Sequence, residues 1–193
     1  MDVERLRQDL VFTETLRGQT LTFHSAWGLF SPRAVDEGTR LLLDHVEVSA
    51  DDDCLDLGCG YGAIGLTLAR LAPRGRTFLV DRDFVAVEYA RRNAERNAIA
   101  NCEVLLSDGF SHVPPGQRFS VVASNLPAKA GNEAYTILFT DAHARLVAGG
   151  RCYVVTLSAV RRFIERSFRE LFGNYEKVKQ GRTHTVSLAV REP

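Results

Sequence analysis

The run Leu55-Asp56-Leu57-Gly58-Cys59-Gly60-Tyr61-Gly62-Ala63-Ile64-Gly65 sets apolar residues directly before glycines at alternate positions. Glycines 58, 60 and 62 allow the chain to turn through conformations closed to residues with a Cβ. They also let a ligand approach main-chain atoms that a side chain would cover. The run therefore predicts a buried parallel strand, a tight turn and a helix, the local pattern of a loop that binds a nucleotide-containing cofactor.

From Asp53 onward, strand-like runs near 54–57, 76–81, 102–106, 119–124 and 151–157 alternate with helical stretches near 63–72, 84–97, 133–147 and 159–172. Such alternation predicts an α/β fold with a doubly wound, Rossmann-like, mostly parallel sheet. Two closing runs, about 175–180 and 184–190, flank Gly181-Arg182 and predict a C-terminal antiparallel hairpin at the sheet edge, which makes seven strands. Upstream, Leu10-Val11-Phe12 and Thr20-Leu21-Thr22-Phe23 around Arg17-Gly18 predict a short N-terminal β extension. Ser31-Pro32 marks a helix start, with the helix running from Arg33 to about His45. The last helix carries Val160, Phe163, Ile164, Phe168, Leu171 and Phe172 on one stripe, with Ser158 as its cap and Gly173 as its stop.

No apolar run reaches the roughly 18–20 residues that span a bilayer, and Met1 to Asp9 is polar, so neither a membrane segment nor a secretory leader is expected. Cys54, Cys59, Cys102 and Cys152 lack paired metal spacing and are expected to be buried free thiols in a reducing cytoplasm. A formal net charge of zero argues against a strongly basic nucleic-acid face. Arg161, Arg162, Arg166 and Arg169, with Lys177, Lys179 and Arg182, read as a solvated face. His24, His45, His112, His143 and His184 show neither metal-ligand spacing nor a nucleophile partner and are expected to be structural or at the surface.

Gly60, Gly62 and Gly65 satisfy GxGxxG, and Asp81 follows at about the distance of a ribose-binding acid, so an NAD-dependent oxidoreductase is one reading. Asp56 favours another. A carboxylate beside the ligand repels a pyrophosphate but attracts an ammonium or a sulfonium. Locally, Asp81 also fits a helix N-cap and Asp108-Gly109 a turn.

The loop from Asp56 to Gly62 resembles the D-x-G-x-G-x-G loop of class I S-adenosylmethionine-dependent methyltransferases, a resemblance that covers roughly residues 20–192. It implies S-adenosylmethionine as cofactor, with Asp56, Gly58, Cys59, Gly60 and Gly62 near its methionine part. Asp81 and Arg82 fall at the ribose and Asp108, Gly109 and Phe110 at the adenine, with Phe84 as an alternative ring. Ser124-Asn125-Leu126-Pro127-Ala128-Lys129-Ala130-Gly131 stands where enzymes that methylate exocyclic or amide nitrogens carry N-P-P and often an aromatic. The resemblance makes Asn125, Leu126 and Pro127 the catalytic candidates, with Asn125 also at the cofactor. An amine with a delocalised lone pair needs its N–H groups held by the Asn oxygen and a neighbouring carbonyl, here that of Leu126. Leu126 replaces the first proline and Ala128 the aromatic, which leaves Trp27, Phe30 and Tyr135 as candidate stacking rings.

Gly28-Leu29-Phe30-Ser31, with Asp36 and Gly38 downstream, narrows the resemblance to small-domain methyltransferases related to guanine 2-amino methyltransferases of ribosomal RNA. There the G-x-F-S segment helps close the cofactor site, which adds Phe30 and Ser31 to the cofactor candidates; locally, Phe30 also fits a hydrophobic staple. The implied organisation is a single domain over 1–193, with 1–32 as hairpin and cofactor-covering segment and 33–193 as catalytic core. The implied function is N-methylation of a guanine exocyclic amine in ribosomal RNA by a monomer or homodimer. Alternatives are a protein glutamine, another base or a small molecule as acceptor, or a cofactor-binding module with weak or no catalysis, which Leu126 and Ala128 motivate.

Overall fold

The computed structural model describes residues 3–127 and 130–193. A short helix α1 (Val3–Leu6) precedes the hairpin β1 (Leu10–Leu16) and β2 (Gln19–Ser25), which turns at Arg17-Gly18. Helix α2 (Glu37–His45) leads to β3 (Cys54–Leu57), α3 (Ala63–Leu71), β4 (Thr77–Asp81), α4 (Phe84–Arg96), β5 (Cys102–Leu106) and β6 (Phe119–Asn125). Then follow α5 (Asn132–Arg145), β7 (Leu146–Leu157), α6 (Arg161–Phe172), β8 (Glu176–Gln180) and β9 (His184–Val190).

Strands β3 to β9 form a seven-stranded sheet in the order β5-β4-β3-β6-β7-β9-β8, in which only β9 runs against its neighbours. The expected mixed sheet with a C-terminal hairpin at its edge is therefore present. Alternation along each strand builds two cores. Cys54, Leu79, Val121, Ala123, Tyr153 and Val155 face one side, with α2, α3, α4 and the hairpin. Leu55, Leu57, Phe78, Val80, Val122, Cys152 and Val154 face the other, with α5 and α6. A sheet buried on both faces explains why these strands read as continuous apolar runs.

Three local expectations differ from the structure. Helix α2 begins at Glu37, not Arg33, because Asp36 provides the cap: its carboxylate accepts from the Gly38 and Thr39 amides. Strand β7 starts at Leu146, pairing with Phe119 before a register shift, so the preceding helix ends at Arg145. Ser158 does not cap α6; it begins a 3-10 turn and its hydroxyl meets that of Thr185.

The hairpin is attached through two side chains of α4. Asn93 accepts from the His24 amide at 2.8 Å and donates to the His24 and Tyr61 carbonyls at 2.9 Å each. One helical turn later Asn97 accepts from the Thr22 amide and donates to the Thr22 carbonyl, both at 2.9 Å. Alternate residues of a strand present both backbone groups to one side, and an amide side chain offers one donor face and one acceptor. The asparagine pair thus pairs with the open edge of β2 as a neighbouring strand would. Asn93→Ala leaves buried partners unpaired and is expected to cost about 2–4 kcal/mol. Asn97→Ala, at a half-buried position, is expected to cost about 1 kcal/mol. Urea denaturation of both variants checks the difference, and equal small losses would contradict the pairing.

Candidate functional site

In this strand order the chain leaves β3 toward β4 and β5, then returns to lay β6 on the opposite side of β3. The crevice at the carboxyl ends of strands, where the order reverses, is where open α/β sheets bind ligands. A cleft of about 820 Å³ lies there, bordered by Gly58 after β3, Asp81 at the end of β4, Asp108 after β5 and Asn125 at the end of β6.

The turn after β3 is pinned to β4. The Gly58 and Cys59 amides donate to the Val80 carbonyl at 2.8 and 3.0 Å, and the Gly60 amide donates to Asp81 Oδ2 at 2.9 Å. Gly58 and Gly60 hold φ of 74° and 55°, and a Cβ on either would meet nothing within 4 Å, so their main chain is bare toward the cleft. Asp81 Oδ1 accepts from the Asp83 amide, and it is Asp83, not Asp81, that caps α4. The Asp108 carboxylate is exposed and makes no hydrogen bond to a described residue.

Asp56 does not border the cleft as its sequence position suggests. It is fully buried, with Oδ2 accepting from the Gly65 amide at 2.7 Å and Oδ1 without a partner among the described residues. Burial pushes its carboxyl up to about 7, opposed by the Gly65 hydrogen bond and reinforced by the charge of Asp81. Burial also raises the Cys59 thiol well above its ordinary value, so at neutral pH it is a protonated, apolar part of the wall.

Phe30, Arg82, Gly109, Leu126 and Pro127 line the cleft. Ser31, Gly62 and Phe110 do not. The Ser31 hydroxyl donates to the Ala34 carbonyl; Gly62 is buried as the left-handed start of α3; Phe110 belongs to the core under α5. Phe84 is 61% exposed on α4, away from the cleft lining. Of the three stacking candidates, Tyr135 is buried against Phe139 with its hydroxyl on the Pro127 carbonyl, and Trp27 lies under the Arg33 guanidinium outside the lining. Phe30 alone of them borders the cleft; at 68% exposed it is no hydrophobic staple. Ala128 and Lys129 lie outside the described residues, as do Met1 and Asp2.

Asn125 is held from α2. Its Nδ2 donates to Asp36 Oδ1 and Oδ2 at 3.1 and 3.2 Å and to Thr39 Oγ1 at 3.0 Å. Leu126 is buried with its amide on the Val155 carbonyl, while the Pro127 carbonyl accepts from Ala130 and Tyr135. Neither Asn125 Oδ1 nor the Leu126 carbonyl accepts a bond from another described residue. The sequence assigns no role to Thr39, Tyr61 or Asp141, and reads His184 as structural or at the surface; all four line the cleft. Asp36 is a residue type favoured at a helix N-cap, a signal that a later helix start would have used. His184 has no local signal; the pairing of β7 with β9 brings it beside Gly38. Among the described residues no cluster of His, Cys, Asp and Glu suits a metal, and no helix is long and apolar enough to cross a membrane.

Residues 20–187 match the family model of the methyltransferase small domain. The chain is 38% identical over 141 residues to the uncharacterised protein YbxB of Bacillus subtilis (strain 168), covering 72% of this chain and 70% of that one. It superposes with a TM-score of 0.86 and 28% identity on the T. thermophilus 16S rRNA N2 G methyltransferase RsmC, solved in complex with AdoMet and guanosine. That match covers 95% of this chain and 51% of the other. TrmN from Thermus thermophilus matches with a TM-score of 0.66 and 20% identity over 80% of this chain and 48% of its own. The chain thus spans about half the length of these two solved proteins.

The Asp56 carboxyl generates a pH prediction. A folded value near 7 against an ordinary 3.8 means the folded protein holds the extra proton between those limits. The contribution to stability is complete at the acid end and is lost as pH rises through about 7, by up to about 1.4 kcal/mol per pH unit. Urea titrations of the ligand-free protein between about pH 5 and pH 8 are expected to show this slope and Asp56→Asn to flatten it. An unchanged slope in the variant would place the titration elsewhere.

Proposed function

The chain belongs to the methyltransferase small-domain family, and from that premise we propose that it transfers a methyl group from S-adenosylmethionine to an exocyclic amine of guanine in ribosomal RNA. The observation that carries this reading is the place of Asn125, with an unengaged amide oxygen in the same cleft as the bare Gly58–Gly60 turn and Asp81. The likeness to RsmC supports guanine as the acceptor base. The GxGxxG reading as a dinucleotide site gives way to the family match. Four unpaired cysteines fit a reducing compartment such as the cytoplasm.

The residues fit the cofactor. Gly58 and Gly60 offer main chain to its methionine part, and Asp81, each oxygen of which takes one backbone N–H, keeps lone pairs for a ribose diol. In this reading Asp108, exposed at the cleft, accepts from the adenine amino group, and Phe30 borders the same cleft. When bound, S-adenosylmethionine supplies a methyl carbon on a cationic sulfur that departs as a neutral thioether. The chain needs no strong base for such a transfer; its residues act by positioning and by excluding water. Asn125 Oδ1 and the Leu126 carbonyl accept the two amine N–H groups, which turns the nitrogen lone pair out of conjugation with the ring. Leu57, Val80 and Leu138 make the surrounding wall apolar.

Transfer of labelled methyl from S-adenosylmethionine onto undermethylated ribosomal RNA, ribosomal subunits and whole-cell protein tests the reading. Label is expected in RNA as 2-methylguanosine, falling on the order of 100-fold in Asn125→Ala. Label confined to protein would make the acceptor a protein amide. Cofactor binding without label in any fraction would leave a small-molecule acceptor or a binding module.

A further inference from the structure

Asn125 is useful to an acceptor amine only in one of its two amide orientations. With its oxygen toward the acceptor it receives an N–H; flipped, it presents its own N–H groups to another donor. The described structure contains a device that distinguishes the two. Both hydrogen-bonding directions of Nδ2 are taken, one by the carboxylate of Asp36 and one by Thr39 Oγ1. A carboxylate only accepts, so a flipped Asn125 would set oxygen against oxygen at about 3 Å. Asp36 is itself fixed, because its oxygens cap α2 by accepting from the Gly38 and Thr39 amides at 2.9 and 3.3 Å.

We propose that Asp36 is a positioning residue that locks the Asn125 amide with its oxygen toward the acceptor, Thr39 completing the lock. The proposal rests on the reading of Asn125 as the acceptor contact and adds the cause of its polarity. It also gives a reason for the late start of α2. A helix beginning at Arg33 would place no free cap carboxylate beside the end of β6.

Asp36→Asn separates this role from capping, since asparagine caps helices about as well as aspartate. Its single oxygen stays with the Gly38 and Thr39 amides, its NH2 faces Asn125, and the Asn125 amide turns over. In the Asn125→Asp variant two carboxylates face each other. Combining Asp36→Asn with Asn125→Asp restores a donor–acceptor pair and leaves a carboxylate oxygen toward the acceptor. Asn125→Asp and Asp36→Asn are each expected to lose turnover on the order of 100-fold with binding of S-adenosylmethionine retained, and the double variant to regain much of it.

A second readout does not depend on the acceptor. In nitrogen-15-labelled protein, the Asn125 side-chain NH2 signals, assigned by their loss in Asn125→Asp, are expected to exchange slowly with water. In Asp36→Asn they are expected to shift and exchange faster, with melting temperature unchanged. Asn125 NH2 signals unaltered by Asp36→Asn, or a double variant no more active than Asn125→Asp, would overturn the proposal. Inactivity of the native protein on ribosomal RNA would overturn the acceptor assignment, while the NH2 signals would still decide the role of Asp36.

Discussion

The hydrogen bond from the Gly65 amide to Oδ2 of Asp56 joins the first strand of the parallel sheet to the helix that follows it, in full burial. It exists because position 65 lacks a side chain. A Cβ there would stand 2.3 Å from Cγ of Leu79 and 3.0 Å from the Asp56 carboxylate. With α3 seated this closely, the chain between Leu57 and Ala63 has no slack. It turns through three glycines of positive φ, and its amides reach the Val80 carbonyl and Asp81. The glycine-turn side of the cleft is a consequence of that seating, and a buried carboxyl with a raised pKa is its electrostatic cost.

The Asn125 side of the cleft is built from more distant pieces. Asn125 ends the strand next to β3, but its amide is oriented from α2, 89 residues earlier in the chain. The segment before α2 is held in turn by Tyr61, whose hydroxyl donates to the Ser31 and Ala34 carbonyls at 3.3 Å each. Tyr61 packs edge-on against Phe12 and Phe23 of the hairpin, with ring centroids 5.7 and 5.5 Å away. Asn93 closes the circuit by bonding both the hairpin and the Tyr61 carbonyl. The hairpin therefore belongs to the site: it supports the strip of chain that carries Phe30 and Asp36 to the cleft.

The central βαβ units were legible in the sequence because their signals are local. Glycines that must turn, apolar runs that must be buried on both faces and stops such as Gly173 act within a few residues, and strands β3, β5 and β9 lie where the residue pattern sets them. The helix before them was misplaced for the opposite reason. Ser31-Pro32 is a good local start, whereas Asp36 prevails because its carboxylate serves both the helix and Asn125. Ring positions were equally hard to read: Tyr135 and Phe110 are aromatic like any stacking residue, and only the packing of the core between α5, α6 and the sheet decides that they are buried.

The residue pattern alone determined the α/β class, the glycine turn and Asp81 as a residue worth watching, because these follow from chain conformation and residue chemistry at short range. Asn125 and the family came from the resemblance of the motifs to those of known methyltransferases. The tertiary structure decided which of those residues face the cleft, that Asp56 lies beneath it and not in it, and that Asp36, Thr39 and His184 join it. Such outcomes depend on which strands become neighbours and which polar groups must find partners once buried. Those conditions arise only when segments far apart in the chain are brought together.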